Sequence, residues 1–337
     1  SRKSRKSRGD PHIPPAHHTM PRRGLLRVLL VALISLSVQG ANVSKLALGA
    51  SHSCALVTDG EVRCWGSNGN GQLGDGTTTR SINTSVVVTT ITNARSIAAG
   101  DSHSCAVLLD GAAKCWGSNY FGHLGDGSTS SSSTPVLVSG ITTVKNIALS
   151  DYHSCAVLLD GSAKCWGGNS GGQLGDGTTI DSTTPVEVSN LTNATSITVD
   201  LYHSCALLTD GKVKCWGKNW VGQLGDLTTI DRTIPVQVSN ITTATSIAVG
   251  FKHSCAVLLE GKVFCWGWNR NGELGDGSII DRTTPVEVSG LTNATSIAVG
   301  YFHSCVVLKE GKVMCWGMNN IGQLGDGSII DRTTPVE

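Results

Sequence analysis

One unit of about fifty residues is written six times along this chain, and that periodicity limits its possible folds more than any other feature. The segment Ser51-His52-Ser53-Cys54-Ala55-Leu56 returns, with small changes, from Ser102, Tyr152, Tyr202, Lys252 and Phe302. Cys-Trp-Gly occurs at Cys64-Trp65-Gly66 and again from Cys115, Cys165, Cys215, Cys265 and Cys315. Leu-Gly-Asp begins at Leu73, Leu124, Leu174, Leu224, Leu274 and Leu324. A period of this length marks a solenoid, a propeller or an array.

Each unit reads as four short strands. From Thr184 they are Pro185-Val186-Glu187-Val188, then Ser196-Ile197-Thr198-Val199, then 203–208, and after a Thr209-Asp210-Gly211 turn the stretch 212–217. A Gly-rich stretch with Gly222-Gln223-Leu224-Gly225-Asp226 is read as the link to the next unit. No stretch has helical length and period, so each repeat is one antiparallel sheet. The 41 Gly and 8 Trp, with 15% charged residues, suit an all-β chain of short strands. A lone sheet cannot bury both faces, so the sheets must stack radially around a channel. Pro185 is tolerable only at the first position of a strand or on an edge.

WD-type repeats are shorter and end on a Trp-Asp pair that is missing here, and the double glycine of kelch repeats appears only at Gly171-Gly172. The repeated His-Ser-Cys-Ala-Leu, Asp-Gly, Cys-Trp-Gly-x-Asn and Gly-Gln-Leu-Gly blocks resemble RCC1 repeats, of the cysteine-bearing kind seen in extracellular and bacterial members. The resemblance covers about residues 43–337. It implies an all-β propeller of four-stranded antiparallel blades, normally seven-bladed, working mainly as an interaction platform. The name-giving member of that family is a nuclear, chromatin-bound exchange factor for a small GTPase. A secreted bacterial relative inhibits β-lactamases, so the fold alone leaves function open.

Two departures stand out. There are six units rather than seven, and the chain stops inside Pro335-Val336-Glu337. Residues 43–66 also lack the leading Pro-Val-x-Val strand of later units. The expectation is a C-terminal truncation that removes a seventh unit. The alternative is a six-bladed ring in which the last strand completes the first blade.

The N-terminus has three parts. Residues 1–19 carry the basic run 1–8 and are read as a leader or disordered basic segment outside the fold, with a nuclear-import or nucleic-acid patch as the alternative. Residues 20–41 read as a signal peptide, with Arg22, Arg23 and Arg27 before the apolar run Val28-Leu29-Leu30-Val31-Ala32-Leu33-Ile34 and small residues at Gly40 and Ala41. A membrane anchor over residues 25–38 is the alternative, although the run is short for a span. The propeller then occupies residues 42–337. A net charge of +1 gives no electrostatic footprint for nucleic acid.

Every unit holds one cysteine pair ten apart: Cys54/Cys64, Cys105/Cys115, Cys155/Cys165, Cys205/Cys215, Cys255/Cys265 and Cys305/Cys315. The Thr58-Asp59-Gly60 turn is a three-residue hairpin loop with Gly at its left-handed position. That register pairs Val57 with Glu61 and sets Cys54 opposite Cys64, close enough for a bridge. Six disulfides within blades follow, each contributing about 2–3 kcal/mol. They fit an exported protein. The metal alternative, His52 with Cys54 and Cys64, lacks a repeating fourth ligand. His52, His103, His153, His203, His253 and His303 are expected to be structural, bonding backbone near the blade turn.

No catalytic set emerges, because every serine beside a cysteine has the same neighbours in every blade. Asp75, Asp126, Asp176, Asp226, Asp276 and Asp326 are read as turn residues, since calcium needs more oxygens than one carboxylate per turn. No cofactor or metal is implied. Function is sought where the repeats differ. One variable window precedes each His, from Ala50-Ser51 and Asp101-Ser102 to Tyr301-Phe302. The other follows Cys-Trp-Gly and includes Tyr120-Phe121, Trp220, Trp268 and Arg270. Loop aromatics are typical binding anchors. The expected partner-binding residues are Tyr152, Tyr202, Trp220, Phe251, Trp268 and Tyr301, with packing between blades as the alternative role. Sequons lie at Asn42, Asn83, Asn190, Asn193, Asn240 and Asn293.

The reading is a secreted or cell-surface scaffold that binds another protein and has no enzymatic activity. The alternatives are a guanine-nucleotide exchange factor for a small GTPase and a secreted enzyme inhibitor.

Overall fold

The computed structural model describes residues 42–337, so the leader, signal-peptide and anchor readings of residues 1–41 lie outside the described residues. Residues 42–337 form six four-stranded antiparallel sheets. In the first sheet the strands are Val43–Leu48, His52–Val57, Val62–Gly66 and Ser81–Val87, hydrogen-bonded in that order. In the fourth they are Ala194–Val199, His203–Leu208, Val213–Gly217 and Arg232–Gln237.

This frame corrects the sequence reading by one strand. The proline-bearing strand does not open a unit; it closes the sheet before it. Ser182–Glu187, which contains Pro185, pairs with Ala163–Gly167 of the third sheet. It is an outer edge strand, where a missing N–H breaks no ladder. The Gly-rich segments therefore lie inside a sheet, joining its third and fourth strands. The first sheet lacks no strand. The last strand, Arg332–Val336, completes the sixth sheet against Val313–Gly317 rather than the first.

The hairpin of the second and third strands forms as its turn chemistry requires. Gly60 takes φ +90°, its N–H donates to the Val57 carbonyl, and Asp59 Oδ1 accepts from the Glu61 N–H. This register sets Cys54 directly opposite Cys64. The Gly-rich loop is stapled by the asparagine of Cys-Trp-Gly-x-Asn. Asn219 Nδ2 donates to the carbonyls of Thr228 and Ile230, and its Oδ1 accepts from the Leu224 N–H.

The sheets stand around one axis. A central cavity of about 170 Å³ is lined by Leu48, Ala99, Leu149, Val199, Val249 and Val299, one residue from the innermost strand of each sheet. The hydrophobic core lies between successive sheets. Cys155, Val157, Ala163, Cys165 and Leu174 of the third sheet pack on Ala194, Ile197, Ala206 and Trp216 of the fourth. Trp216 Nε1 donates to the Gln173 carbonyl at 2.9 Å. Gly175 (φ +73°) lies so close to that indole that a Cβ would fall 2.6 Å from Nε1, which explains the glycine of Leu-Gly-Asp. The first and sixth sheets each keep one such face open. Val313 is 49% exposed where Val263 is fully buried, and Leu46 is 41% exposed where Ile97 is 2% exposed.

Candidate protein-interaction face

Antiparallel order places the turn between the first two strands and the loop between the last two at the same end of every sheet. The two variable windows therefore share one face of the disc. On it, rings from five sheets form a continuous arc. Phe121 meets Tyr152 edge-on at 5.0 Å between centroids, and Tyr152 lies 5.5 Å from Tyr202. Tyr202 contacts both Trp220 at 5.5 Å and Phe251 at 6.4 Å. Phe251 continues the arc to Tyr301 at 6.1 Å and Phe302 at 5.7 Å.

Five of the six residues expected from sequence thus touch ring to ring. Trp268 joins them through a cation: the Lys252 ammonium lies 5.1 Å from the Trp268 ring, 5.5 Å from Trp220 and 4.8 Å from Phe251. Trp220 and Phe121 are exposed, at 48% and 40%. Tyr152, Tyr202, Phe251, Trp268 and Tyr301 are half-buried, so each packs on its neighbours while keeping an edge in solvent. Phe121, Lys252 and Phe302 belong to the same arc. They lay in the variable windows, but only the ring of sheets shows that they meet the others.

Inside the arc the channel mouth is polar. The Tyr301 hydroxyl donates to Asp101 Oδ2 at 2.6 Å, tying the sixth sheet to the second. Burial pushes the Tyr301 hydroxyl pKa up, and the Asp101 carboxylate adds to the shift. Tyr152 is pushed up to about 12, chiefly by burial and then by its hydrogen bond with Tyr202.

The histidines lie beneath this face, in a role the sequence reading missed. In the first five sheets they do not bond backbone near the turn; they reach the next sheet. His52 Nε2 is 2.8 Å from the Ser104 hydroxyl, and the same step joins His103 to Ser154, His203 to Ser254 and His253 to Ser304. From the second sheet to the sixth, each Ser-Cys serine is the partner of the preceding sheet's histidine, which explains why the pair His-Ser repeats as a unit.

All six cysteine pairs are bridged within their sheets, and no described cysteine is free. The loop aspartates do turn work. Asp226 accepts from the Thr228 N–H and hydroxyl and from Arg232 Nε, and these donors hold its pKa below the usual value against the opposing effect of burial.

The profile of the RCC1-like domain matches residues 29–337, most of the sequence. The chain belongs to the RCC1-like domain family. Its described part superposes on yeast RCC1 (Prp20), solved bound to Kap60, with a TM-score of 0.75 and 23% identity over 87% of this chain and 74% of that one. Human WBSCR16 gives 0.78 and 21% over 89% and 82%. These likenesses establish the fold. Among curated proteins, the Ultraviolet-B receptor UVR8 of Arabidopsis thaliana is 37% identical over 92 residues, 27% of this chain and 21% of that protein. The human probable E3 ubiquitin-protein ligase HERC4 is 37% identical over 91 residues, 26% of this chain and 9% of that protein. The matched stretches thus span 21% and 9% of those relatives. This RCC1-like domain carries six bridges, the mark of an oxidising compartment. Among its described residues no helix is long and apolar enough to cross a membrane.

Proposed function

We propose that this chain is a secreted or cell-surface scaffold that binds another protein through the aromatic face and performs no chemistry of its own. The observation that carries the reading is the unbroken arc from Phe121 to Phe302. Large rings held rigid by their neighbours lose little entropy on binding, and Trp and Tyr dominate the energetics of protein contacts. One bridge in every repeat suits export. The repeated polar groups support the same view, because His, Ser and Asn are engaged with one another or with backbone in nearly identical fashion from blade to blade.

The test is capture of extracellular proteins by the bridged chain beside two variants. Trp220→Ala with Tyr202→Ala alters the arc, and Lys212→Ala alters the opposite face. A partner retained by the wild type and by Lys212→Ala, but lost by the arc variant, supports the proposal. Equal retention by all three, or stimulated nucleotide release from a small GTPase, overturns it.

A further inference from the structure

The face is not uniform, and its difference has a shape. In the second to fifth blades the two variable windows carry bulk at Phe121, Tyr152, Tyr202, Trp220, Lys252 and Trp268. The equivalent positions of the first blade hold Ser51, Ser67, Gly69 and Asn70, and the second blade holds Ser102 where the third has Tyr152. Removing those side chains leaves a pocket of about 240 Å³ beside the end of the arc. Its wall includes Ser51, Ser67, Asn70 and Ser102, with Asp101 and Asp151 on the channel side.

The chemistry of that wall is specific. No described residue hydrogen-bonds the hydroxyls of Ser51, Ser67 and Ser102 or the side-chain amide of Asn70. Four neutral groups that both donate and accept therefore converge on one half-buried space. Asp101 also accepts the Tyr301 hydroxyl, which fixes that carboxylate at the pocket's channel side. The volume lies below the roughly 300–1,000 Å³ of sites for drug-sized ligands. Paired hydroxyl partners and carboxylates are what a compact ligand covered in hydroxyls requires.

We infer that this pocket is a binding site for a neutral hexose ring, either free or at the end of a glycan. Ser51, Ser67, Ser102 and Asn70 exchange hydrogen bonds with ring hydroxyls, and Asp101 and Asp151 accept from adjacent hydroxyls. The site is separate from the protein-binding arc and survives if that reading fails.

Saturation-transfer NMR on the intact bridged chain tests it. The probes are the methyl glycosides of glucose, galactose, mannose and N-acetylglucosamine, with arginine methyl ester as the cationic control. Two variants fill the pocket with residues that other blades already carry at the same positions: Asn70→Phe, as at Phe121, and Ser51→Tyr, as at Tyr152. Because the fold accommodates those residues elsewhere, an unchanged melting temperature separates filling from misfolding. At least one glycoside should bind, weakened by about ten-fold or more in each filled variant, the scale set by unmade hydrogen bonds in a polar site. Trp220→Ala should leave that binding intact. The inference is overturned by a panel in which no glycoside binds, by binding that persists in both filled variants or is lost equally in Trp220→Ala, or by preference for the arginine ester. Protein capture that fails while glycoside binding holds would count against the arc alone.

Discussion

His153 Nε2 lies 2.8 Å from the hydroxyl of Ser204 in the next sheet, and that hydroxyl donates to the Gln173 carbonyl at 2.9 Å. A serine has one proton to give, so the imidazole must be the donor. Burial keeps the histidine neutral, so it carries its single proton on Nε2. The Gln173 carbonyl also accepts from Trp216 Nε1, so one oxygen gathers two donors from the neighbouring sheet. This three-part link recurs at each junction between successive sheets.

A pH dependence follows. Burial lowers His52 to about 4 and His153, His203 and His253 to about 3, and takes His103 well below the ordinary value. An unfolded histidine titrates near 6.5. Between these limits the unfolded chain binds protons that the folded chain refuses, so stability falls with falling pH. Each buried histidine adds a slope of about 1.4 kcal/mol per pH unit. The melting temperature should be flat above pH 6.5 and drop steadily from there towards 4. The Asp226 and Asp276 carboxylates, held below 3.8, lose their contribution only at lower pH. Melting scans across pH 4–8 decide the matter, with His203→Gln expected to flatten the slope by one proton. A constant melting temperature down to pH 4.5 would mean that the histidines charge in place.

The indole bond can be isolated by comparing two tryptophans. Trp216 and Trp65 are both buried, but Trp65 Nε1 has no described acceptor while Trp216 Nε1 has the Gln173 carbonyl. Phenylalanine removes similar bulk at either site. Trp216→Phe should therefore cost more than Trp65→Phe by about 0.5–1.5 kcal/mol, the net worth of a hydrogen bond. Denaturant titration of both variants gives the difference, and equal costs would show that the bond contributes nothing.

The repeat unit, its four strands and the pairing of Cys54 with Cys64 were legible because each is local. Turn residues such as Asp59-Gly60 fix a hairpin register without reference to the rest of the chain. The blade frame was not legible. A periodic string has no phase, and the Pro185 strand sits equally well at the start of one unit or the end of another until its partner is known. His153 failed for a related reason. Its true acceptor, Ser204, is one repeat away, and every blade offers the same serine within itself. The arc was legible as composition but not as contact, since Tyr152 and Tyr202 meet only when the sheets close around the axis.

Reduction should be ordered. Cys155, Cys165, Cys215, Cys255 and Cys265 are fully buried, whereas Cys305 is half-buried on the open face of the sixth sheet. Thiol–disulfide exchange depends on access. Under mild reductant the Cys305–Cys315 bridge should open first, and the inner bridges only when their sheets unfold. Peptide mapping after timed alkylation would show label at Cys305 and Cys315 before any other pair. Simultaneous labelling of all six pairs would mean that the whole disc opens at once.

The packing of each loop against the next sheet can be separated from backbone strain by two glycines. Gly225 and Gly325 occupy the same place in the fourth and sixth blades, both with positive φ, +67° and +74°. An alanine at either pays the left-handed penalty of roughly 1–2 kcal/mol. At Gly325 the added Cβ meets nothing, whereas at Gly225 it lies 2.9 Å from Trp266 Nε1 and 3.0 Å from Val238 Cγ1. Gly225→Ala must therefore also displace the indole, an overpacking cost of about 1–3 kcal/mol. It should weaken the Trp266 bond to the Gln223 carbonyl as well. Melting temperatures of the two variants should differ clearly, with Gly325→Ala the milder. Red-shifted tryptophan fluorescence in Gly225→Ala would report the displaced ring. If both variants melt together, the close contact between loop and indole is not what holds the sheets in register.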